Sequence, residues 1–250
     1  MDPIRTLDQL VTQLKGEPPK RLAVAAGHDP HSIEAAARAA KEGIAIVTLA
    51  GDRDRILTLC GDHEIDPAVF TIIDEKNDVA AGAIARDLVR EKKADLLMKG
   101  LLGTDKYMHL ILDREKGLVP KGGILTHVTA FEIPEFQRVH GKLLFASDVA
   151  IIPAPDLATK LKIAEAAVKA TRGFGLTKPK VAFLAASEKV SVKMIATTEA
   201  AVLAKMGDRG QLKGAICDGP LALDVAISPE ACAIKDLVSP VGGAADIVIF

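Results

Sequence analysis

Four short runs constrain this chain most: Leu22–Ala26, Ile44–Leu49, Val69–Ile73 and Asp95–Met98, whose apolar side chains fall at successive rather than alternate positions. A strand of that kind has to be covered on both faces. The segments between the runs, near 30–41, 52–60 and 78–92, carry apolar residues at helical spacing. Strand and helix therefore alternate, which predicts a parallel sheet with helices on either side. Ahead of the first run, Leu7, Leu10, Val11 and Leu14 recur at helical spacing between Pro3 and Gly16, so 3–15 reads as an amphipathic helix that Pro18-Pro19 ends.

The middle of the chain departs from this rhythm. Ile124–Ile133, Lys142–Phe145 and Asp148–Ile152 follow one another with only short turns around Pro134 and Gly141, a pattern of antiparallel or hairpin-linked strands. The βα rhythm then resumes: a helix over 157–171 opened by Asp156, strand Val181–Ala185, a helix over 191–206, strand Gly214–Cys217, a short helix near 229–236 and the apolar run Asp246–Phe250. The expectation is an α/β protein of two lobes, 1–122 and 123–250, with mostly parallel sheets and a boundary near Lys121-Gly122-Gly123.

Composition narrows the function classes. Lys and Arg number 32 against 33 Asp and Glu, a net charge of -1, and only 3% of residues are aromatic. That leaves neither an electrostatic footprint for a phosphate backbone nor stacking surfaces for bases, so no nucleic-acid partner is expected. No apolar run approaches the ~20 residues that span a bilayer, so no membrane association is expected. Cys60, Cys217 and Cys232 lie far apart with no C-x-x-C pair, which fits a reducing cytoplasm rather than a disulfide framework or a zinc site.

Open α/β sheets bind ligands at the carboxyl ends of their strands, so the residues after each run are the candidates. After the first comes Gly27-His28-Asp29-Pro30, where Asp29 and Pro30 are either a plain helix start or a frame for a ligand-facing His28. After the fourth comes Lys99-Gly100-Leu101-Leu102-Gly103-Thr104: a cation, glycines that permit close backbone approach, and a hydroxyl before a helix, the parts of an oxyanion or phosphate cradle. Thr126-His127, a polar pair in an apolar run, is either hydrogen-bonded core or cleft lining. Cys217-Asp218-Gly219-Pro220 reads as a tight exposed bend that presents Asp218, with Asp224 beyond it; no third metal ligand stands at a recognisable spacing, and no metal is expected. Lys193 and Lys235 are either anion partners or solvated surface. Both G-x-S-x-G and G-x-G-x-x-G are absent.

Taken in order, Leu97-Met98-Lys99-Gly100-Leu101, Ile124-Leu125-Thr126-His127-Val128, Ile152-Pro153-Ala154-Pro155-Asp156-Leu157, Lys193-Met194, Met206-Gly207-Asp208-Arg209-Gly210-Gln211 and Asp218-Gly219-Pro220-Leu221-Ala222-Leu223-Asp224 resemble the phosphate acetyl/butyryltransferase family, in its phosphate butyryltransferase branch, from about Arg21 to Phe250. The resemblance implies two α/β/α lobes of isocitrate/isopropylmalate dehydrogenase-like architecture, a homodimer or larger homo-oligomer, and an acyltransferase that exchanges a short acyl group between coenzyme A and phosphate. Phosphate acetyltransferase, or a catalytically incomplete ligand-binding relative, is the alternative. No cofactor is covalently bound; acyl-CoA, CoA, phosphate and acyl phosphate are the small-molecule substrates. The implied substrate contacts are Lys99, Gly100, Thr104, Thr126, His127, Lys193 and Asp218.

The resemblance also implies a Ser-Arg stretch, closely followed by Asp, that supplies the catalytic arginine and base after a run like Ala245-Asp246-Ile247. That stretch is not among these 250 residues. No residue is therefore assigned as general base, and the expectation is either a longer gene product or a relative without the chemistry.

Overall fold

The computed structural model describes residues 2–250. It divides into two compact units, one of residues 11–123 and one of residues 2–10 with 124–250, the division falling inside α1 (Leu7–Leu14). The first segment, expected with the leading lobe, thus belongs with the trailing residues. Ile4 is buried beside Phe145 and Ile163, and its N–H donates to the Phe174 carbonyl at 2.9 Å. Those commitments hold residues 2–6 out of the helix, which starts at Leu7 rather than Pro3.

In residues 11–123 the elements are β1 (Lys20–Ala25), α2 (Pro30–Lys41), β2 (Ala45–Gly51), α3 (Arg53–Asp62), β3 (Phe70–Asp74), α4 (Asp78–Arg90), β4 (Leu96–Lys99) and α5 (Thr104–Leu112). All four strands are parallel, in the order β3-β2-β1-β4. Successive side chains of a strand point to opposite faces. Accordingly Val24, Val47 and Leu49 pack with Ile33, Ile56 and Cys60, whereas Ala23, Ala25 and Ala50 pack with Ala81 and Ala85 of α4. The helices start where side chains supply acceptors for first-turn N–H groups: Asp29 takes that of Ser32, Asp52 those of Asp54 and Arg55, and Asn77 those of Val79 and Ala80. Strand β1 leads through α2 to β2 on one side, while α4 returns the chain to β4 on the other. The point where the strand order reverses therefore lies between the carboxyl ends of β1 and β4.

Residues 124–250 contain β5 (Thr129–Phe131), α6 (Pro134–His140), β6 (Leu144–Ser147), α7 (Leu157–Arg172), β7 (Lys180–Leu184), α8 (Ile195–Asp208), β8 (Ile216–Leu221), α9 (Leu223–Ile227), α10 (Pro229–Ile234) and β9 (Ile247–Ile249). The sheet order is β5-β6-β9-β7-β8, parallel except where β5 meets β6. Strand β9 lies between β6 and β7 and is buried along its length. Phe145, Val181, Phe183, Ile247 and Ile249 face Ile163, Ala167 and Leu203 of α7 and α8; Leu144, Ala146, Ala182 and Val248 face Phe136, Val225 and Ala226.

The α/β class and the mostly parallel sheets are as expected, and three local readings are corrected. Asp148–Ile152 is not a strand: the Asp148 carboxylate accepts from the Ala150 and Ile151 N–H groups, both at 2.8 Å, and so removes them from any ladder. Around Pro134 the chain forms α6 instead of a turn, with Pro134 at the first helical position. The tight exposed bend expected at Asp218-Gly219-Pro220 is instead a partly buried irregularity within the edge strand β8, where the pairing with β7 shifts by one residue between Ala182–Leu184 and Asp218–Leu221.

Candidate functional site

In residues 11–123 the candidate site is the loop that leaves β4 at the reversal of strand order. Gly100 N–H donates to the Ala25 carbonyl at 2.8 Å and Leu101 N–H to that of Ala26 at 3.0 Å, so this loop lies directly on the end of β1. A Cβ on Gly100 would run into both carbonyl oxygens, which is why glycine stands there. Lys99 Nζ folds over the same loop, donating to the Leu102 carbonyl at 3.0 Å and the Gly100 carbonyl at 3.3 Å. Its charge also reaches Asp29, whose carboxyl is held below its ordinary range first by the Ser32 hydroxyl and, against the opposing effect of burial, by the Ser32 N–H and the nearby Lys99 charge. Thr104 opens α5, and Gly103 ahead of it offers no capping side chain. The first turn of α5, with the exposed Thr104 hydroxyl, thus has no capping side chain from Gly103 at the positive end of the helix dipole, and it also carries the acidic Asp105. Tyr107 ties α5 back to β4 through a 3.2 Å bond to the Leu97 carbonyl.

His28 takes the plain alternative. Its ring is buried; Nδ1 accepts from the Asp52 N–H at 3.2 Å, and Nε2 lies 3.1 Å from an Asp78 oxygen without hydrogen-bond alignment. Asp29 and Pro30 simply cap and open α2.

In residues 124–250 the polar cluster forms around Asp148, just past β6. Its Oδ2 accepts from the Thr126 hydroxyl at 2.8 Å and the His127 N–H at 3.0 Å, while its Oδ1 takes the Ala150 and Ile151 N–H groups. Burial works against this charged carboxylate, but the four donors outweigh it and bring its pKa down to about 2. Ser147 Oγ donates to the His127 carbonyl at 2.7 Å. Both ring nitrogens of His127 lie 3.1 to 3.2 Å from the Thr129 hydroxyl. Thr126 and His127 are therefore one unit, and the residues that join them, Ser147 and Asp148, were missed by sequence reasoning. The available signal was an aspartate positioned to bond the backbone two residues on, the signature of an Asx turn.

Asp218 sits apart, on β8. Its Oδ2 pairs with the Ser239 hydroxyl and its Oδ1 accepts the Gly219 N–H at 2.8 Å. Strands β9 and β7 separate β8 from β6, roughly 14 Å at the usual strand spacing. Lys193 lies on the exposed turn before α8, its backbone N–H 3.3 Å from the Ser191 hydroxyl. Lys235 is already paired, at 2.8 Å with Glu188 and 2.9 Å with Asp224, so neither it nor Asp224 is a free charge. Among the described residues no group of three or more His, Cys, Asp and Glu side chains is arranged to hold a metal ion. Cys60, Cys217 and Cys232 are unpaired, and burial pushes the Cys217 thiol up to about 11.

Two α/β units with mostly parallel sheets, whose strands lead into hydroxyl- and glycine-bearing loops, one beside a lysine and a helix without a capping side chain, define a two-unit α/β protein with candidate ligand loops at its strand ends. The comparisons with known proteins go further. Residues 79–250 match the family described as phosphate acetyl/butaryl transferase, and the chain belongs to that family. It is 39% identical over 246 residues to the phosphate butyryltransferase of Clostridium acetobutylicum, covering 98% of this chain and 80% of that protein. It is 40% identical over 243 residues to the phosphate acetyltransferase of Thermotoga maritima, covering 97% and 80%. A branched-chain phosphotransacylase from Enterococcus faecalis superposes with a TM-score of 0.76 at 28% identity, covering 92% of this chain and 78% of that one.

Proposed function

We propose that this chain exchanges a short acyl group between coenzyme A and inorganic phosphate, with butyryl-CoA and phosphate giving butyryl phosphate and CoA. The observation that carries this is the 39% identity to a phosphate butyryltransferase along 98% of the chain. In the forward direction a phosphate oxygen adds to the thioester carbonyl, a tetrahedral oxyanion forms, and the CoA thiolate leaves; the reverse is thiolate attack on the acyl phosphate. Such chemistry needs fixed donors for phosphate and for the developing oxyanion. The loop of Lys99, Gly100 and Thr104 supports the phosphate role, because it combines an ammonium, exposed N–H groups and a hydroxyl on backbone held in place by β1. Thr126 and His127 are proposed as substrate contacts on the Asp148 cluster, and Lys193 and Asp218 as further contacts. CoA and phosphate serve as substrates, with no covalently attached group.

A second reading, acetyl in place of butyryl, rests on the 40% identity to a phosphate acetyltransferase. We further propose a homodimer or larger homo-oligomer and a cytoplasmic location. The three unpaired thiols support a reducing compartment, and no helix among the described residues is long and apolar enough to cross a membrane.

The test is thiol release from butyryl-CoA and acetyl-CoA in the presence of phosphate. Phosphate-dependent release is expected, faster with butyryl-CoA; faster release from acetyl-CoA would favour the second reading, and no release from either would overturn both.

A further inference from the structure

At the amino edge of the sheet in residues 124–250, Gly141, Lys142 and Leu143 lead into β6 and Leu176 precedes β7; there residues 3–5 close one side of a hollow of about 150 Å³. We propose that this hollow binds a small monocarboxylate with an apolar body the size of a benzene ring, its head group held by the Arg5 guanidinium. The site stands apart from the loops at the carboxyl ends of the strands, since β6 and β9 run in parallel away from the hollow toward Ser147 and Ile249. It does not depend on the acyl-transfer reading.

The floor sets the body of the ligand. Ile4, Leu143 and Phe145 are buried and Leu176 packs against the same core, so the inner surface is hydrocarbon. An apolar cavity of ~150 Å³ admits a benzene molecule, which fixes the size of the guest. The rim sets its head group. Arg5, His140 and Lys142 are basic, and no acidic residue lines the hollow. Two of the three are already engaged. Lys142 Nζ donates to Asp246 at 2.6 Å and to the Ala244 carbonyl at 2.8 Å. His140 Nε2 lies 2.9 Å from the Ile227 carbonyl, and because a carbonyl only accepts, that nitrogen is the donor.

Arg5 differs. Its backbone is fixed on both sides, its N–H donating to Gln9 Oε1 at 2.8 Å and its carbonyl accepting from the Gln137 side chain. Its guanidinium stands over Gly141, where an added Cβ would lie 3.7 Å from Nη1. Among the described residues no hydrogen bond or ion pair reaches that guanidinium. A planar fork of free N–H groups matches a carboxylate in two parallel bonds. A phosphate would use the rim alone and leave the apolar floor uncovered, whereas an aromatic or compact aliphatic carboxylate uses both.

The probe is benzoate, titrated into the 250-residue chain while the amide NMR signals of Gly141, Leu143 and Leu176 are followed. Saturable shifts at these amides are expected, with half-saturation at or below about 10 mM. Acetate keeps the head group without the body and benzamide keeps the body without the charge; each is expected to bind at least about tenfold more weakly. Arg5→Gln removes the charge from an exposed, unpaired side chain, so the melting temperature should move by no more than a few degrees while benzoate binding weakens at least about tenfold. Absence of saturable shifts at these amides would overturn the proposal. So would benzoate binding of equal strength in folded Arg5→Gln, or benzamide binding as tightly as benzoate. The exchange reaction is read separately, by thiol release, and stands or falls without reference to these outcomes.

Discussion

The Asp148 carboxylate holds the Thr126 hydroxyl at 2.8 Å, and that bond settles the polarity of both groups. The hydroxyl proton is committed to Asp148, so to any further partner the Thr126 oxygen offers only hydrogen-bond acceptance. A substrate N–H or S–H suits it, and an oxyanion does not.

The same carboxylate makes stability depend on pH in a defined direction. Asp148 is held at about 2 in the folded chain, against ~3.9 for an unfolded aspartate. Its stabilisation is therefore fully present above pH ~4 and is lost as the pH falls toward ~2, an amount of about 2 kcal/mol for a depression of this size. Urea unfolding followed between pH 5 and 2 should show this loss. Asp148→Asn should be less stable at pH 7 and show a flatter profile in that interval; an unaltered slope would remove Asp148 as its source.

Gly100→Ala tests how tightly the loop after β4 lies on β1. The added Cβ would meet the Ala25 and Ala26 carbonyl oxygens, which are backbone and cannot swing aside. A loss of about 2–4 kcal/mol is expected, together with weakened phosphate binding as the loop lifts. Denaturation midpoints and the phosphate KM measure the two effects. By contrast Gly61→Ala, near the end of α3 and with nothing within 4 Å of the added Cβ, should leave the phosphate KM unchanged and stability the same or up to about 1 kcal/mol higher.

How far the sequence carried depended on whether a signal was local. Strands β1 to β4 and their helices were legible because each apolar run is short, each helix has its own period, and Asp29 marks the start of α2. The loop at Lys99, Gly100 and Thr104 was legible as loop chemistry for the same reason. The Asp148 cluster was not. Val149–Ile152 is as apolar as a strand, and only the carboxylate's capture of two nearby N–H groups bends it away. Its bond to Thr126 joins residues 22 positions apart, which no periodicity records. At Asp218-Gly219-Pro220 the Gly-Pro turn signal was legible, but it produces an irregularity inside an edge strand rather than an exposed bend.

Strand β9 tests the core. Ile247 is fully buried and packs in the face toward α7 and α8, so Ile247→Ala should cost about 2–5 kcal/mol through lost burial and the cavity left behind. Ile46 on β2 is also a strand isoleucine but is 57% exposed, and Ile46→Ala should change stability by less than about 0.5 kcal/mol. Thermal melts of the two variants check the contrast. Equal effects would mean that Ile247 is not buried as described.

Thr104→Val separates binding from folding at the proposed phosphate loop. The side chain is exposed at the first position of α5 and makes no capping bond, so replacing its hydroxyl with a methyl of similar size should leave the melting temperature within a few degrees. If Thr104 donates to a phosphate oxygen, a charge-assisted bond worth about 1.5–3 kcal/mol is lost, and the KM for phosphate or acyl phosphate should rise roughly ten- to a hundredfold. Thr104→Ser should restore most of it, since it keeps the donor. Steady-state kinetics with phosphate varied at fixed butyryl-CoA gives both values. A Thr104→Val chain with an unchanged phosphate KM would take this loop out of the site and leave the Asp148 cluster as the remaining candidate.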